Sequence, residues 1–201
     1  MSKPDISTSF SSVLSLLWPQ ILMMYALCAM SVSPVWSAGQ MSASIQAALG
    51  VSLQIVFLLN VVSMAVNSGA TAVISQSVGA GRIMRAKLFV GVSILTNIFL
   101  GILVAFLGLV FGKYAFLLLG LSGAELEIAT KLCNILFLSL PFSFVLNAAS
   151  VIFRSFRQVK TPLFITTLAC IFQLILLYLL CLEGDFMGIA WALFFTYLFV
   201  R

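Results

Sequence analysis

Charged side chains are scarce in this 201-residue sequence, and histidine is absent. Asp, Glu, Lys and Arg together make up 7% of the residues, against about 25% in typical soluble domains. Hydrophobic residues make up 63%, and so few charges cannot cover that much apolar surface in water. The composition therefore excludes an ordinary soluble domain and predicts a chain embedded in a lipid bilayer.

The residues on which most catalytic and metal sites depend are also missing. No histidine is present and no carboxylate lies inside an apolar run, so no base is available to activate a serine or threonine hydroxyl. The four cysteines lie singly in apolar runs and form no CxxC pair: Cys28, Cys133, Cys170 and Cys181. We therefore expect no enzyme, no metal site, no cofactor and no disulfide framework.

Six apolar runs predict six transmembrane helices, because a spanning helix needs about 20 mostly apolar residues. The runs do not alternate apolar and polar residues, as the strands of a membrane barrel would. The predicted fold is an all-α polytopic bundle, with an N-terminal segment at 1–12 and a lobe at 13–201 whose spans are 13–37, 46–74, 88–112, 130–153, 161–182 and 187–200. The sixth run is short and ends at Arg201, so we expect a fragment or one half of a longer protein.

The charges between the runs alternate along the chain and predict an orientation. The breaks at 113–129 and 183–186 contain acidic residues, whereas two other breaks contain basic residues alone. Basic loops face the cytoplasm, so the chain is predicted to lie in the cell membrane (inner or plasma) with a cytoplasmic N-terminus. Six residues are predicted cytoplasmic anchors: Arg82, Arg85, Lys87, Arg154, Arg157 and Lys160. The net charge of +5 is dispersed among the loops, which argues against a nucleic-acid partner.

Polar residues inside the second run recur every three or four positions and so share one face of a helix: Asn60, Ser63, Asn67, Thr71 and Ser75. This face is either the wall of a water-filled substrate cavity or a contact that hydrogen-bonds to a neighbouring helix. Asn147 in the fourth run and Gln173 in the fifth are further cavity candidates. Pro34 and Pro141 each remove a backbone donor, and we expect both helices to bend there.

A glycine-containing corner, SQSVGAGRIMRAK, follows the second run. A dinucleotide fingerprint is a poor match, because Met84 stands where the third glycine should be and no strand precedes the glycines. We instead predict that Gly79 or Gly81 ends the helix in a left-handed conformation. The basic residues that follow would then lie at the lipid headgroups, so the phosphate nearest this corner belongs to a lipid.

Four stretches resemble the N-terminal half of the multidrug and toxic compound extrusion (MATE) family. They are LWPQIL, GATAVISQSVGAGR, PFSFVLNAASVIFRSFRQVKTP and MGIAWALFFT. The resemblance implies one six-span lobe of a twelve-span transporter that exports organic, often cationic, compounds by alternating access. It also implies coupling to the inward flow of protons or sodium, and a small organic substrate.

The sequence departs from the family where the resemblance implies cation-binding acids. The family commonly has an Asp in the first span, and that position is Pro34 here. The family's fifth span often has an Asn and, four residues on, an Asp, and those positions hold Gln173 and Leu177. The threonine of the sixth span is kept as Thr196 and joins the cavity candidates. The resemblance therefore places any H⁺ or Na⁺ site in the missing C-terminal half.

Three functions remain open from the sequence. The first is cation-coupled efflux of organic compounds or drugs. The second is a lipid-linked oligosaccharide flippase of the same superfamily, although such proteins place basic residues in the cavity and none is buried in these spans. The third is a truncated or degenerate lobe that assembles with a partner. The expected partners are the bilayer and the missing lobe or a second copy of the chain.

Overall fold

The computed structural model describes residues 10–156, 160–181 and 186–199. Within these ranges the chain is helical without strands, as predicted, and has six helices. They are α1 (Phe10–Met41), α2 (Ala43–Gly79), α3 (Ile83–Leu118), α4 (Gly123–Ser155), α5 (Lys160–Cys181) and α6 (Met187–Phe199). Most of the predicted N-terminal segment, the acidic break after α5 and Arg201 lie outside the described residues.

Five of these helices are long and apolar enough to cross a membrane, and α6 is a shorter apolar helix of 13 residues. The observed helices α1 to α4 overrun the predicted spans, and Ser42 alone separates α1 from α2. The reason is that hydropathy marks the part of a helix that lies in hydrocarbon, whereas the helix continues past it until a cap ends it. Ser42 is such a cap, since its Oγ accepts a hydrogen bond from the backbone N–H of Ile45 at 3.1 Å.

Helix α4 lies at the centre of the bundle and packs against α2, α3, α5 and α6. Its contact with α3 depends on glycine. A Cβ added to Gly108 or Gly112 would lie 2.8 or 2.6 Å from the Phe137 ring, and one on Gly101 would lie 2.8 Å from the Cα of Pro141. Small residues that let backbones approach closely are the usual basis of helix packing in membranes.

The remaining helices close the bundle around α4. Helix α1 packs against α2 and α5, and α5 packs against α6. One core cluster joins α1, α2, α4, α5 and α6 through residues such as Leu49, Leu136 and Ile189. Large apolar side chains such as Phe99 and Phe106 of α3 are more than half exposed, as expected of a surface that faces lipid.

The glycine corner between α2 and α3 ends α2 as predicted, and the residue that does so is Gly81, with φ of 72°. The backbone N–H of Arg82 donates to the carbonyl of Ser77 at 2.9 Å, and that of Gly81 to Val78 at 3.0 Å. This pair of bonds is a Schellman motif, in which the left-handed residue favours glycine. The chain turns sharply here, and Arg82, Arg85 and Lys87 are exposed at the turn.

Candidate functional site

The polar face of α2 lies where α2 meets both α3 and α4, and it divides into two clusters. The first, here called the closed cluster, consists of Ser63, Asn67 and Asn97. Ser63 Oγ donates to Asn97 Oδ1 at 2.8 Å, Asn97 Nδ2 donates to Asn67 Oδ1 at 3.0 Å, and Asn67 Nδ2 donates to Ser63 Oγ at 3.1 Å. Each side chain is at most 3% exposed. The three side chains thus form a complete hydrogen-bonded ring inside the α2–α3 contact.

The second, here called the open cluster, consists of Asn60, Ser143 and Asn147 at the α2–α4 contact. Asn60 Oδ1 accepts hydrogen bonds from Ser143 Oγ at 3.3 Å and from Asn147 Nδ2 at 3.4 Å. Both bonds are long, and the Ser143 hydroxyl makes a shorter bond of 2.9 Å to the carbonyl of Leu140. Asn60 is half-buried and Asn147 is exposed. Asn60 Nδ2 also donates to the carbonyl of Val56 in its own helix at 3.0 Å. The bonds between α2 and α4 are therefore the weak ones, and the exposed Asn147 amide is accessible to a ligand.

The hydrogen bonds favour different interpretations for different residues of the polar face of α2. Ser63 and Asn67 serve the helix-to-helix contact, whereas Asn60 stays a cavity candidate together with Asn147. Thr71 is half-buried, and its Oγ1 donates to the carbonyl of Asn67 in its own helix at 2.7 Å. Thr196 of α6 is 1% exposed and donates to the carbonyl of Ala192 at 2.7 Å. For Thr71 and Thr196 the hydroxyl proton is used within the helix.

Gln173 of α5 joins α5 to the proline of α1. A helical residue normally donates its N–H to the carbonyl four residues earlier, and Pro34 has no N–H for the carbonyl of Met30. Gln173 Nε2 donates to this carbonyl at 2.7 Å and lies 3.3 Å from Ser33 Oγ. Gln173 is 1% exposed. Its side chain thus supplies the hydrogen bond that the proline removes.

The positions at which the family resemblance implies cation-site residues therefore form a neutral contact. Pro34 and Gln173 share the arrangement just described, and Leu177 is 3% exposed in the core that α5 shares with α1 and α6. Among the described residues, no group of three or more His, Cys, Asp or Glu side chains could hold a metal ion. The α1–α5 contact can orient the helices, but positions 34, 173 and 177 offer no titratable group for proton exchange.

The predicted cytoplasmic anchors differ in their surroundings. Arg82, Arg85 and Lys87 are exposed at the α2–α3 corner. Arg154 is half-buried at the end of α4, and its Nε donates to the carbonyl of Ser150 at 3.2 Å. Arg157 lies outside the described residues, as does the side chain of Lys160. The predicted orientation itself stays a prediction.

Three residues that complete these arrangements were not predicted as site residues: Asn97, Ser143 and Ser33. A signal existed for Asn97, because Ser93 and Asn97 lie four residues apart as polar interruptions of a strongly apolar run. Ser143 is the second residue after Pro141, where a bend was expected. Ser33 immediately precedes Pro34, where a bend was also expected.

Comparison with known proteins links this architecture to one family. The protein-family model described as MatE matches residues 19–179 of the chain. The probable multidrug resistance protein YoeA of Bacillus subtilis (strain 168) is 28% identical over 126 residues, which cover 63% of this chain and 27% of that protein. An FAD transporter of Shewanella oneidensis is 23% identical over 164 residues, which cover 82% of this chain and 36% of that protein.

A solved structure shows the same fold. A multidrug resistance MATE family transporter of the MOP superfamily, in its outward-facing conformation, superposes with a TM-score of 0.85 over 94% of this chain and 42% of that chain. The two sequences are 16% identical, so this likeness concerns the fold alone. The chain spans less than half the length of each of these three proteins.

Proposed function

The chain belongs to the MatE family of membrane transporters, and from this premise we propose that it forms one lobe of a secondary transporter that exports organic compounds by alternating access. The other lobe would be a C-terminal six-helix segment or a second copy of this chain, because the chain spans less than half the length of its relatives. The expected site of action is the cell membrane.

The open cluster is the observation that carries this proposal. Asn60 and Asn147 offer uncharged donors and acceptors at an accessible point of the α2–α4 contact. Phe142, beside Ser143, begins a set of aromatic rings that continues onto α6, where Phe194 lies 6.2 Å from it edge to face. Apolar and aromatic walls with a few polar groups are typical of sites for small organic molecules.

The proposed cargo is an organic molecule with planar rings and hydrogen-bonding groups. One relative is named as a multidrug resistance protein and another as an FAD transporter, and neutral amides suit cargoes of either charge. A flippase is less well supported. In the described part of the chain, basic side chains such as Arg85, Lys113 and Arg154 lie near helix ends, away from any central cavity that would hold a pyrophosphate.

The proposed coupling is to an inward flow of protons or sodium, with the ion site in the other lobe. Support comes from the α1–α5 contact, where Pro34, Gln173 and Leu177 stand in place of ionisable or ion-binding groups. A carboxylate within the membrane is the usual means of binding such an ion. Without one in this lobe, coupling would have to act through the assembly of the two lobes.

The test uses the full-length gene product reconstituted in proteoliposomes. Uptake of ethidium, a fluorescent organic cation, is measured under an imposed proton gradient, an imposed sodium gradient and no gradient. We expect gradient-driven transport whose KM rises several-fold in the Asn60→Ala variant. The Asn134→Ala variant is the control, because Asn134 is exposed on α4 about 20 Å along the helix from Asn147.

The outcomes separate the candidate functions. Transport driven by neither gradient would contradict the coupled-exporter proposal and favour a lobe that serves another protein. Equal effects of Asn60→Ala and Asn134→Ala on the KM would show that the open cluster does not contact the substrate. Movement of a fluorescent lipid-linked oligosaccharide, with no transport of ethidium, would favour the flippase.

A further inference from the structure

A groove lies between α2 and α3, on the side of the bundle next to the basic corner. Its volume is about 240 Å³. It lies within the last four turns of α2 and the first four turns of α3. The lining is small or apolar apart from two hydroxyl side chains, and consists of Val66, Gly69, Ala70, Val73, Phe89, Val92, Ser93 and Thr96.

The groove is open to the outside of the bundle and has an unsatisfied polar group in its lining. Gly69 and Val92 are exposed, and a Cβ built on Gly69 would meet nothing within 4 Å. Ser93 is 4% exposed, and among the described residues its Oγ is a buried polar atom without a hydrogen-bond partner. A buried hydroxyl without a partner is unfavourable, so an acceptor that enters the groove would be stabilised there.

Positive charge borders the groove at its corner end. The Arg85 guanidinium lies 5.7 Å from the ring centroid of Phe89, which itself lines the groove. Arg82 and Lys87 are exposed on the same turn. The sequence contains no Asp or Glu between Asp5 and Glu125, so no acid of α2 or α3 neutralises these cations. An apolar slot beneath uncompensated cations matches a molecule with an anionic head and an apolar tail.

We propose that this groove binds an anionic phospholipid. The phosphate lies among Arg82, Arg85 and Lys87, and one acyl chain lies between α2 and α3 against Gly69 and Ala70. An ester oxygen accepts the hydrogen bond of Ser93. Ser93 is eight residues from Arg85, or about 12 Å along the helix, a separation that the arginine side chain and the glycerol group of the lipid bridge together. Basic pockets between transmembrane helices are known to select anionic headgroups on the cytoplasmic side.

The test compares the full-length protein in phosphatidylcholine nanodiscs with the same protein in nanodiscs that also contain phosphatidylglycerol. Thermal unfolding is measured in both. Two variants change the proposed site: Arg85→Gln removes a contact to the lipid headgroup, and Gly69→Leu fills the groove. Each has a matched control, since Lys113→Gln removes an exposed cation at the far end of α3, and Gly91→Leu enlarges an exposed glycine of α3 outside the groove.

We expect phosphatidylglycerol to raise the unfolding temperature of the parent protein and of both control variants. The increase should be lost in Gly69→Leu and reduced by more than half in Arg85→Gln, and glycerol phosphate alone should give no increase. Two results would overturn the proposal. In one, phosphatidylglycerol has no effect on the parent; in the other, the lipid effect survives in Gly69→Leu or is reduced equally by Arg85→Gln and Lys113→Gln.

Discussion

The closed and open clusters are built from the same two residue types and share helix α2, yet they differ in what they leave free. Asn67 and Asn60 lie two turns apart on α2. Asn67 meets Asn97, whose amide both donates and accepts, and their bonds close a ring with Ser63. Asn60 meets Ser143, whose hydroxyl makes its shorter bond to its own helix. An asparagine inside a membrane helix therefore becomes structural when the facing helix offers a complementary partner.

The difference should be measurable as stability. Interhelical hydrogen bonds in membranes contribute about 0.6 kcal/mol on average, and up to about 2 kcal/mol. The closed cluster has short bonds in a fully buried contact, whereas the open cluster has bonds of 3.3 and 3.4 Å beside an exposed residue. If the comparison is right, substitutions in the closed cluster should lower the stability of the protein, and substitutions in the open cluster should alter substrate binding.

The largest effect is expected for Asn97→Leu. Asn97 makes three hydrogen bonds, to Ser63, to Asn67 and to the carbonyl of Ser93, and its side chain is fully buried. Loss of three bonds should lower the free energy of unfolding by about 2 kcal/mol. The measurement is denaturant-induced unfolding in mixed micelles. Asn147→Leu is the matched control, and equal destabilisation by the two variants would contradict the distinction between the clusters.

A smaller decrease in the free energy of unfolding, about 1 kcal/mol, is expected for Gln173→Leu. This variant tests whether the hydrogen bonds of the α1–α5 contact are structural, as those of the closed cluster are. In this variant the carbonyl of Met30 loses its donor, because Pro34 cannot supply one. Pro34→Ala restores a backbone N–H, so the Gln173→Leu substitution should cost less in the Pro34→Ala background than alone. The double-mutant cycle measures this coupling.

Transport is measured in the Gln173→Leu variant as well as stability. Since the α1–α5 contact has no titratable side chain at positions 34, 173 or 177, Gln173→Leu should leave the pH profile of transport unchanged while it lowers stability. Additive effects of the two substitutions would show that Gln173 does not replace the missing donor. A shifted pH profile would show that this contact takes part in coupling.

The sequence predicted the helices, the polar stripe and the left-handed glycine, because each depends on local spacing or local backbone conformation. It also predicted a missing donor at Pro34. The partners of these groups could not be predicted, since Asn97 lies 30 residues from Asn67 and Gln173 lies 143 residues from Met30. Pairing at such separations depends on the rotation and depth of each helix. Apolar side chains specify these weakly, because lipid is as apolar as leucine.

The smallest effect on stability is expected for Asn147→Ala. Asn147 is exposed and makes one long hydrogen bond, to Asn60, so its removal should change the free energy of unfolding by less than about 0.5 kcal/mol. If Asn147 contacts the substrate, the same variant should raise the KM for ethidium transport several-fold with little change in kcat, as expected when a ground-state contact is lost. Unfolding and transport are both measured, to decide between a structural and a substrate-binding role for Asn147. A large loss of stability would show that Asn147 has a structural role. Unchanged stability together with an unchanged KM would show that Asn147 does not act with Asn60 in the proposed cavity.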